Sequence, residues 1–306
     1  METEGKFQIL LSTYNGEKYL REQLDSYLNQ TVGGRIKVLI RDDGSSDGTA
    51  DILREYQRKY GFEVIFGENL GINRSLFELI RICDDDCQYF AMSDQDDVWL
   101  PDKLERAEKA MRTYNDELPV LYASRSMVTD PQLKPLGLTT PARKGVSFYN
   151  AAIQNICPGH TQTFNRQMLL ELRNNYSDGI FVIDYWNYIV ASSIGHVCFD
   201  NAYTVYHRQH GDNAVGYTTS ILQKNIRRLK RLSFSKPDPS TVQLAGFYEL
   251  YKDRISHEYQ RETQLFLESR RFVDRLKFTF SMSFYRQSLL ETLIFKILFL
   301  LGKYHI

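Results

Sequence analysis

The sequence predicts an α/β protein with a mainly parallel sheet, followed by a helical C-terminal region. Short apolar runs alternate with amphipathic helical patterns through the first 125 residues. A regular strand–helix alternation of this kind implies parallel strands joined by right-handed crossovers. From about residue 218 the sequence pattern changes. The chain there has a helical period and is rich in Arg, Lys, Phe and Leu.

The first four elements follow from short, well-marked patterns. "FQILLST" (7–13) is a nearly unbroken apolar run, which indicates a buried strand. The segment 17–30 places four apolar residues on one face, which predicts a helix. "IKVLIRD" (36–42) predicts the second strand, and 48–61 predicts a helix that is closed by Gly61.

The next five elements continue the same alternation. "EVIFGE" (63–68) predicts the third strand and "NRSLFELIRI" (73–82) a helix. "QYFAMSD" (88–94) predicts the fourth strand, and 101–114 predicts a helix with proline in its first turn. "PVLYASR" (119–125) predicts another strand. The following segment is less regular and contains two helical patches, at 165–173 and 184–192.

Composition excludes several classes of protein. Lys+Arg and Asp+Glu balance at 38 each, so net charge gives no general attraction to nucleic acid. The four cysteines are too few and too scattered for a disulfide scaffold, and we expect reduced thiols. The N-terminus lacks a signal-peptide pattern, and the longest apolar stretch, 288–301, is shorter than the roughly 20 residues of a spanning helix.

Three polar clusters directly follow predicted strands: "STYNGE" (12–17), "RDDGSSDGT" (41–49) and "SDQDD" (93–97). Taken singly, they could be a helix start, a capped turn and a solvated loop. In an open parallel sheet, however, ligands bind beyond the carboxyl ends of the strands. We therefore expect the three clusters to converge on one binding site.

The acidic cluster is best explained by a divalent cation. Carboxylates a few ångströms apart repel one another, and they persist when a cation, a proton or an array of donors compensates them. Asp94-x-Asp96 offers the hard oxygen ligands that Mg²⁺ prefers, with positions left for substrate phosphates. A carboxylate of Asp42 or Asp43 could accept hydrogen bonds from a nucleotide base or ribose.

Four segments together resemble glycosyltransferase family 2, the inverting enzymes with the GT-A (Rossmann-like) fold. Order and spacing agree over about residues 7–115 and more weakly to 217. "SDQDDVW" and "YHRQHGDNAVG" (206–216) are similar to bacterial rhamnosyltransferase-like members. The four segments are "LLSTYNGEKYLREQLDSYLNQT", "VLIRDDGSSDGTADIL", "ENLGINRSLFELI" and "FAMSDQDDVWLPDKL".

The resemblance implies binding sites for a nucleotide and for a metal. It assigns Mg²⁺ or Mn²⁺ to Asp94, Asp96 and His210, with Asp96 as the more direct ligand. It implies that Asp42 or Asp43 contacts the nucleotide base, and both remain possible. The implied nucleotide-binding residues are Thr13, Tyr14, Asn15, Glu17, Asp42, Asp43, Asn73, Arg74 and Asp94.

The resemblance also implies a catalytic base at the start of a helix beyond the metal strand. "VIDYWNYIV" (182–190) fits, so Asp184 is the expected base, with Trp186 lining the acceptor side and Arg208 offsetting diphosphate charge. Inverting transfer needs a base that deprotonates the acceptor hydroxyl for in-line attack, and no covalent nucleophile. Alternatively, Asp184 caps a helix, and Arg208 and His210 form a structural turn. The chain lacks the Q-x-x-R-W motif of processive members.

We expect a GT-A catalytic domain over 1–217, with a nucleotide-sugar half over about 1–115 and an acceptor half over about 116–217. The region 218–306 is expected to be helical, amphipathic and basic. Residues 221–236 carry six Lys or Arg and no acid, as in helices that lie on anionic membranes. A hairpin packed on the catalytic domain, or an oligomer contact, is the alternative. We expect a cytoplasmic protein, peripheral at the inner face of the cell membrane.

The predicted function is metal-dependent transfer of L-rhamnose from dTDP-rhamnose to a saccharide or lipid-linked saccharide in bacterial cell-surface polysaccharide synthesis. A UDP-hexose or UDP-N-acetylhexosamine donor is the main alternative. A sugar nucleotidyltransferase would carry a Gly-rich basic loop where this chain has "STYNGE". A non-catalytic carbohydrate- or calcium-binding protein would bind ligand without releasing a nucleoside diphosphate. We expect no nucleic-acid partner, and the sequence leaves a homo-oligomer open.

Overall fold

The structure is a computed structural model that describes residues 5–175, 180, 182–210 and 238–304. The described strands are β1 (Phe7–Thr13), β2 (Ile36–Asp42), β3 (Glu63–Phe66), β4 (Tyr89–Ser93), β5 (Val98–Trp99), β6 (Val120–Thr129), β7 (Pro135–Leu138), β8 (Thr163–Asn165) and β9 (His196–Arg208). The described α-helices are α1 (Leu20–Leu28), α2 (Thr49–Tyr60), α3 (Ile72–Ile82), α4 (Lys103–Met111), α5 (Phe148–Ala151), α6 (Arg166–Asn174), α7 (Ile183–Ile194), α8 (Pro239–Tyr251), α9 (His257–Glu268), α10 (Phe272–Ser281) and α11 (Leu289–Leu300). Short 3₁₀ helices span Gly33–Arg35 and Gly159–Thr161.

The described strands form one sheet in the order β3-β2-β1-β4-β8-β6-β9-β5, with β7 added to β6. The first four strands are parallel to one another, and β6 is parallel to β9. β8 runs antiparallel between β4 and β6, and β5 is antiparallel to β9. The prediction of an α/β fold with a helical C-terminal part is confirmed.

Strand β1 lies between β2 and β4 and is buried along its whole length. Because side chains alternate between the two faces of a strand, Leu10 enters one hydrophobic core, whereas Ile9 and Leu11 enter another. Helices α1, α2 and α4 cover the smaller core, and α3, α6 and α7 cover the larger one. Helices on both faces make the carboxyl edge of these strands the exposed place for a ligand.

All nine elements expected in the first 125 residues are present, and the differences lie at their ends. The helix expected at 17–30 begins at Leu20, because the N–H groups of Tyr19 and Leu20 donate to the Gly16 carbonyl in a turn. The strand expected at 119–125 extends to Thr129, since its second half pairs with β9. That pairing joins distant segments and leaves no local sequence pattern.

Helices α8 to α11 pack on the larger core. Phe247 of α8 is fully buried, stacks on Tyr251 with ring centroids 4.9 Å apart, and meets Trp186 of α7 edge-on at 6.2 Å. Phe278 and Phe299 join α10 and α11 to the same core. The sheet and the described C-terminal helices therefore share one continuous apolar interior.

Two expectations concern residues outside the described part of the chain. The boundary near residue 218 and the basic segment 221–236 lie outside the described residues. Among the helices that are described, none is long and apolar enough to cross a membrane.

We predict that Phe247→Ala lowers the free energy of unfolding by about 3–5 kcal/mol, because it removes a fully buried ring from the core between α7 and α8. Urea denaturation followed by circular dichroism measures the change. Leu250→Ala on the same helix, where the side chain is 41% exposed, is the matched control and should cost far less. Equal losses in the two variants would show that α8 does not anchor the C-terminal helices.

Candidate active site

Strands β1, β2 and β4 end side by side at one edge of the sheet. The register pairs Thr13 with Asp42 and Leu11 with Ser93, so the chain leaves all three strands at nearly the same level. The three polar clusters predicted from sequence follow these strand ends directly. Hydrogen bonds between them confirm that they converge.

Gln95 links the first cluster to the acidic one. Its Oε1 accepts from Thr13 Oγ1 at 2.6 Å and from the Tyr14 N–H at 2.8 Å, and its Nε2 donates to the Tyr14 carbonyl. A Cβ at Gly16 would lie 2.7 Å from Gln95 Oε1 and 2.8 Å from Thr13 Oγ1, so a larger residue there would displace this hydrogen bond. The Tyr14 side chain remains 48% exposed and is available to a ligand.

The loop after β1 and the loop after β2 are bound to each other. Asn15, at a φ of 49°, donates its N–H to Ser45 Oγ at 2.8 Å, and its Oδ1 accepts from the Ser46 N–H at 2.8 Å. Glu17 Oε2 accepts from the Gly48 N–H at 3.0 Å. Asn15 and Glu17, expected to contact nucleotide, thus also hold the two loops in place.

The two aspartates after β2 have different partners. Asp43 Oδ1 pairs with the buried Arg41 guanidinium, and its carboxylate accepts from the N–H groups of residues 70 and 71, each at 2.9 Å. Asp42 Oδ1 accepts from the N–H and hydroxyl of Ser45, and its Oδ2 accepts no hydrogen bond from a described residue. Asp43 is therefore committed to the neighbouring loop, whereas Asp42 retains an oxygen for a ligand.

Two of the three residues predicted to bind metal are in contact. His210 Nε2 is 2.7 Å from Asp96 Oδ2, and the Asp94 side chain is 42% exposed on the same loop. Burial, assisted by the negative charges of Asp97 and Asp94, raises the pKa of Asp96 to about 6. A carboxyl in this environment gains by binding a cation or by sharing the proton of a histidine.

Three further residues, not identified from the sequence, complete the acidic site: Asp97, His160 and His207. Asp97 is fully buried, and its Oδ1 is 3.0 Å from His207 Nδ1. His160 Nδ1 is 3.4 Å from Asp94 Oδ2 and 3.8 Å from Asp97 Oδ2. Atoms of Asp94, Asp97, His160 and His207 that could bind a metal lie within 4.8 Å of one another.

The two histidines differ in charge although their rings stack 4.4 Å apart at an angle of 5°. Burial lowers the pKa of His160 to about 3, so it is neutral. Burial also opposes protonation of His207, but the charge and hydrogen bond of Asp97 outweigh it and raise the pKa of His207 to about 9. The positive charge of His207 can therefore compensate one of the three carboxylates of Asp94, Asp96 and Asp97, and two remain.

Buried Lys103 positions the 3₁₀ helix that carries His160. Its Nζ donates to the Thr161 carbonyl at 3.2 Å and lies 4.3 Å from the centre of the Trp99 ring. Burial lowers the pKa of Lys103 to about 7. No local pattern in α4 indicates this contact, because the Thr161 carbonyl belongs to a segment far along the chain.

Asp184 lies in the first turn of α7 and faces the same site. Its Oδ2 accepts from the Gly159 N–H at 2.8 Å, and its Oδ1 is buried without a hydrogen-bond partner among the described residues. Burial raises the pKa of Asp184 to about 6, and the negative charge of Asp94 adds to this effect. The N-cap of α7 is Val182, without a side-chain cap hydrogen bond, and the Asp184 carboxylate instead accepts from Gly159 of a separate segment.

Asn73 joins the first turns of α3 and α7. Its Oδ1 accepts from the Ile183 N–H at 3.2 Å, which places the start of α3 beside the residue that precedes Asp184. Arg74, the next residue along α3, is exposed. Contacts of Asn73 and Arg74 with a nucleotide remain predictions.

Two expected ligand contacts are not supported by the structure. Trp186 is 1% exposed and packs against Phe247 and Tyr251, so it lies in the core and does not line an acceptor surface. Arg208 is 2% exposed, and its guanidinium donates to Glu22 Oε2 at 2.8 Å and to the carbonyls of residues 96 and 131. Arg208 therefore connects the acidic loop to neighbouring segments, and its guanidinium is buried among these acceptors.

The sequence contains partial indications of Asp97, His160 and His207. Asp97 belongs to "SDQDD" beside Asp96, and His207 belongs to "YHRQH" beside Arg208. His160 stands in "CPGHTQT", a segment without helical or strand periodicity. Its role depends on the 3₁₀ helix Gly159–Thr161, which only the folded structure places beside β4.

Comparison with known proteins agrees with this architecture. The family described as "Glycosyl transferase family 2" matches residues 8–173 of the 306-residue chain. The dTDP-rhamnosyl transferase RfbG of Shigella flexneri is 28% identical over 229 residues, which make up 71% of this chain and 77% of that protein. The putative glycosyltransferase EpsH of Bacillus subtilis is 36% identical over 125 residues, 40% of this chain and 34% of that protein.

Among solved structures, the crystal structure of S. aureus TarS 1–349 in complex with UDP-GlcNAc is similar, with a TM-score of 0.56 and 15% identity. The similarity covers 90% of this chain and 80% of that chain. At this identity the likeness concerns the GT-A fold alone. Because the family match spans more than half of its residues, this chain belongs to glycosyl transferase family 2 and is a glycosyltransferase.

Proposed function

We propose that this glycosyltransferase is metal-dependent and inverting, and that it moves L-rhamnose from dTDP-rhamnose to a saccharide or lipid-linked saccharide in bacterial cell-surface polysaccharide synthesis. The observation that carries the proposal is the cluster of carboxylates and imidazoles beside the buried carboxylate of Asp184. The similarity to RfbG over most of both chains supports the choice of donor.

The residues of the cluster fit a divalent cation. Asp97 Oδ2 is buried without a hydrogen-bond partner among the described residues, and His160 Nδ1 lies 3.8 Å from it. The carboxylates suit Mg²⁺ or Mn²⁺, and a bound cation would neutralise charge on the leaving diphosphate. Asp94, Asp97 and His160, whose candidate ligand atoms lie within 4.8 Å of one another, would hold it, and His207 would join them on losing its proton. Asp96 and His210 contact each other and lie outside this group.

The residues around the strand ends would bind the nucleotide. Asp42 has one oxygen without a partner among the described residues, so it would accept the N–H of a thymine or uracil base. The Tyr14 ring is exposed at the same edge and would contact the base. Asp43 would act indirectly, by holding the loop at residues 70 and 71.

Asp184 would be the general base. Its Oδ2 is oriented by the Gly159 N–H, which leaves Oδ1 to take the proton of an acceptor hydroxyl. Loss of that proton makes the acceptor oxygen nucleophilic for in-line attack on the anomeric carbon, with inversion. A pKa of about 6 leaves Asp184 ionised at neutral pH and makes it a stronger base than an ordinary carboxylate.

We predict that Asp96→Asn lowers kcat/KM by about 10³-fold or more, because it weakens the site that stabilises the leaving diphosphate. Nucleoside diphosphate release measures turnover, and EDTA should abolish the wild-type activity. Asp102→Asn is the matched control, since this carboxylate lies just beyond the acidic loop but is 47% exposed and pairs with Arg106. Full activity of the wild type in EDTA would contradict the metal assignment.

We predict that Asp184→Asn lowers transfer by about 10²–10⁴-fold while donor affinity is retained. Since the base must be ionised, wild-type kcat/KM should rise with pH and level off above about pH 6, where Asp184 titrates. Asp51→Asn, at a side chain 87% exposed, is the control. A loss of transfer below tenfold would place the base elsewhere.

We predict that Asp42→Asn weakens nucleoside diphosphate binding by about 10–100-fold, the typical effect of losing a charged hydrogen bond. Asp43→Asn should instead lower the free energy of unfolding by about 3–5 kcal/mol, because it leaves buried Arg41 without its carboxylate partner. Calorimetric titration and urea denaturation of both variants separate the two roles. Unchanged affinity in Asp42→Asn would exclude it as the base contact.

We predict that dTDP-rhamnose is preferred in a donor panel that also contains UDP-hexoses, UDP-N-acetylhexosamines and GDP-mannose. Nucleotide release is scored for each donor, with Asp184→Asn as the control for contaminating hydrolases. A clear preference for a UDP-sugar would reject rhamnose while leaving the transferase chemistry intact. Binding of donors with no release of nucleotide in any acceptor mixture would favour a non-catalytic binding protein.

A further inference from the structure

Helices α10 and α11 expose a large set of apolar side chains. Phe280 is 84% exposed, Leu289 is 78% exposed, and Leu293 is 56% exposed. Soluble monomers rarely expose contiguous apolar patches beyond a few hundred Å², and larger ones mark interaction sites. We call this set the outer face, and it consists of Phe272, Val273, Leu276, Phe280, Leu289, Leu290, Leu293, Ile297 and Leu301.

The outer face is formed by one stripe on each helix. On each helix the stripe begins with two adjacent residues, and its further residues follow at intervals of three or four. This spacing places the residues of each stripe on one side of their helix. The opposite sides are buried, with Phe278 on α10 and Phe295 and Phe299 on α11. Because the buried sides face the larger core, both stripes are directed away from the body of the protein.

Two hydrogen bonds hold the helices side by side. Arg275 Nε donates to the Leu300 carbonyl at 2.9 Å, and Lys296 Nζ donates to the Thr279 carbonyl at 3.1 Å. The rings of Phe278 and Phe299 meet edge-on between the helices at 5.7 Å. The two stripes therefore belong to one helical hairpin with a fixed geometry.

The hairpin is basic, whereas the whole chain is electrically balanced. Residues 269–304 contain seven Lys or Arg and two Asp or Glu. The two acids are paired, Asp274 with Arg271 at 2.9 Å and Glu291 with Arg286 at 3.6 Å. Within the described part of the chain, four of the cations form no ion pair with a carboxylate: Arg270, Arg275, Lys277 and Lys296.

Two kinds of occupant could cover this face, a second copy of the chain or a lipid surface. In a two-fold dimer the same patch meets itself, so the cations of both copies would approach one another without compensating acids. An anionic bilayer takes up apolar side chains below the headgroups and attracts the cations beside them. The charge of the hairpin therefore favours the lipid surface.

We propose that the outer face of α10 and α11 is a membrane-binding surface that lies in the interface of an anionic bilayer. Binding to lipid would require neither the donor nor the acidic site, so this surface is separate from the glycosyl transfer reaction. The apolar stripes supply a part of the affinity that salt does not weaken. The cations supply a part that salt screens.

The test is sedimentation of the full chain with vesicles of phosphatidylcholine, with and without phosphatidylglycerol. The variant Leu290→Gln/Leu293→Gln/Ile297→Gln changes three outer-face residues that are 53%, 56% and 49% exposed. The matched control is Leu28→Gln/Ile82→Gln/Leu136→Gln, at residues 43%, 50% and 55% exposed elsewhere on the surface. Circular dichroism and donor turnover without lipid verify that both variants are folded.

We expect wild type and control to bind anionic vesicles, more weakly in high salt and more weakly still to neutral vesicles. The outer-face variant should need about tenfold more lipid, or greater, for half-maximal binding. Failure of the wild type to bind, or equal loss in variant and control, overturns the proposal. So does a wild-type dimer that the outer-face variant converts to a monomer without any vesicle binding, measured by light scattering.

Discussion

The arrangement of the site follows from the need to compensate three carboxylates that repel one another on one short loop. Asp94, Asp96 and Asp97 lie within four positions after β4, and Asp97 is fully buried. Each carboxylate has a neighbour from a distant segment, such as His207 for Asp97 and His210 for Asp96. These partners reduce the repulsion between the carboxylates, and a bound cation would reduce it further.

The sheet order explains how those partners reach the loop. β8 and β6 separate β4 from β9 in the sheet. The end of β9 nevertheless contacts the acidic loop that follows β4, although the two are far apart in sequence. β5, directly after the loop, pairs with β9 at Val205 and Tyr206. This short pairing fixes His207 beside Asp97, and the Arg208 N–H donates to the same carboxylate.

Sequence patterns predicted the strands and the residues at their ends, because both are local features. They could not predict that Trp186 and Arg208 are buried, since burial depends on α8 and on acceptors at Glu22 and Pro131. They could not choose between Asp42 and Asp43, because the difference lies in a contact with the loop at residues 70 and 71. On α11, apolar residues occupy both sides, so period alone did not reveal which side is exposed.

The proposed divalent-cation site at the acidic cluster would serve the donor diphosphate. Calorimetric titration of Mn²⁺ into the full chain, in the presence of a nucleoside diphosphate, tests it most directly. We expect saturable binding in the wild type, retained in Asp102→Asn and lost in Asp94→Asn/Asp96→Asn. Equal Mn²⁺ binding by the wild type and the double variant would contradict it.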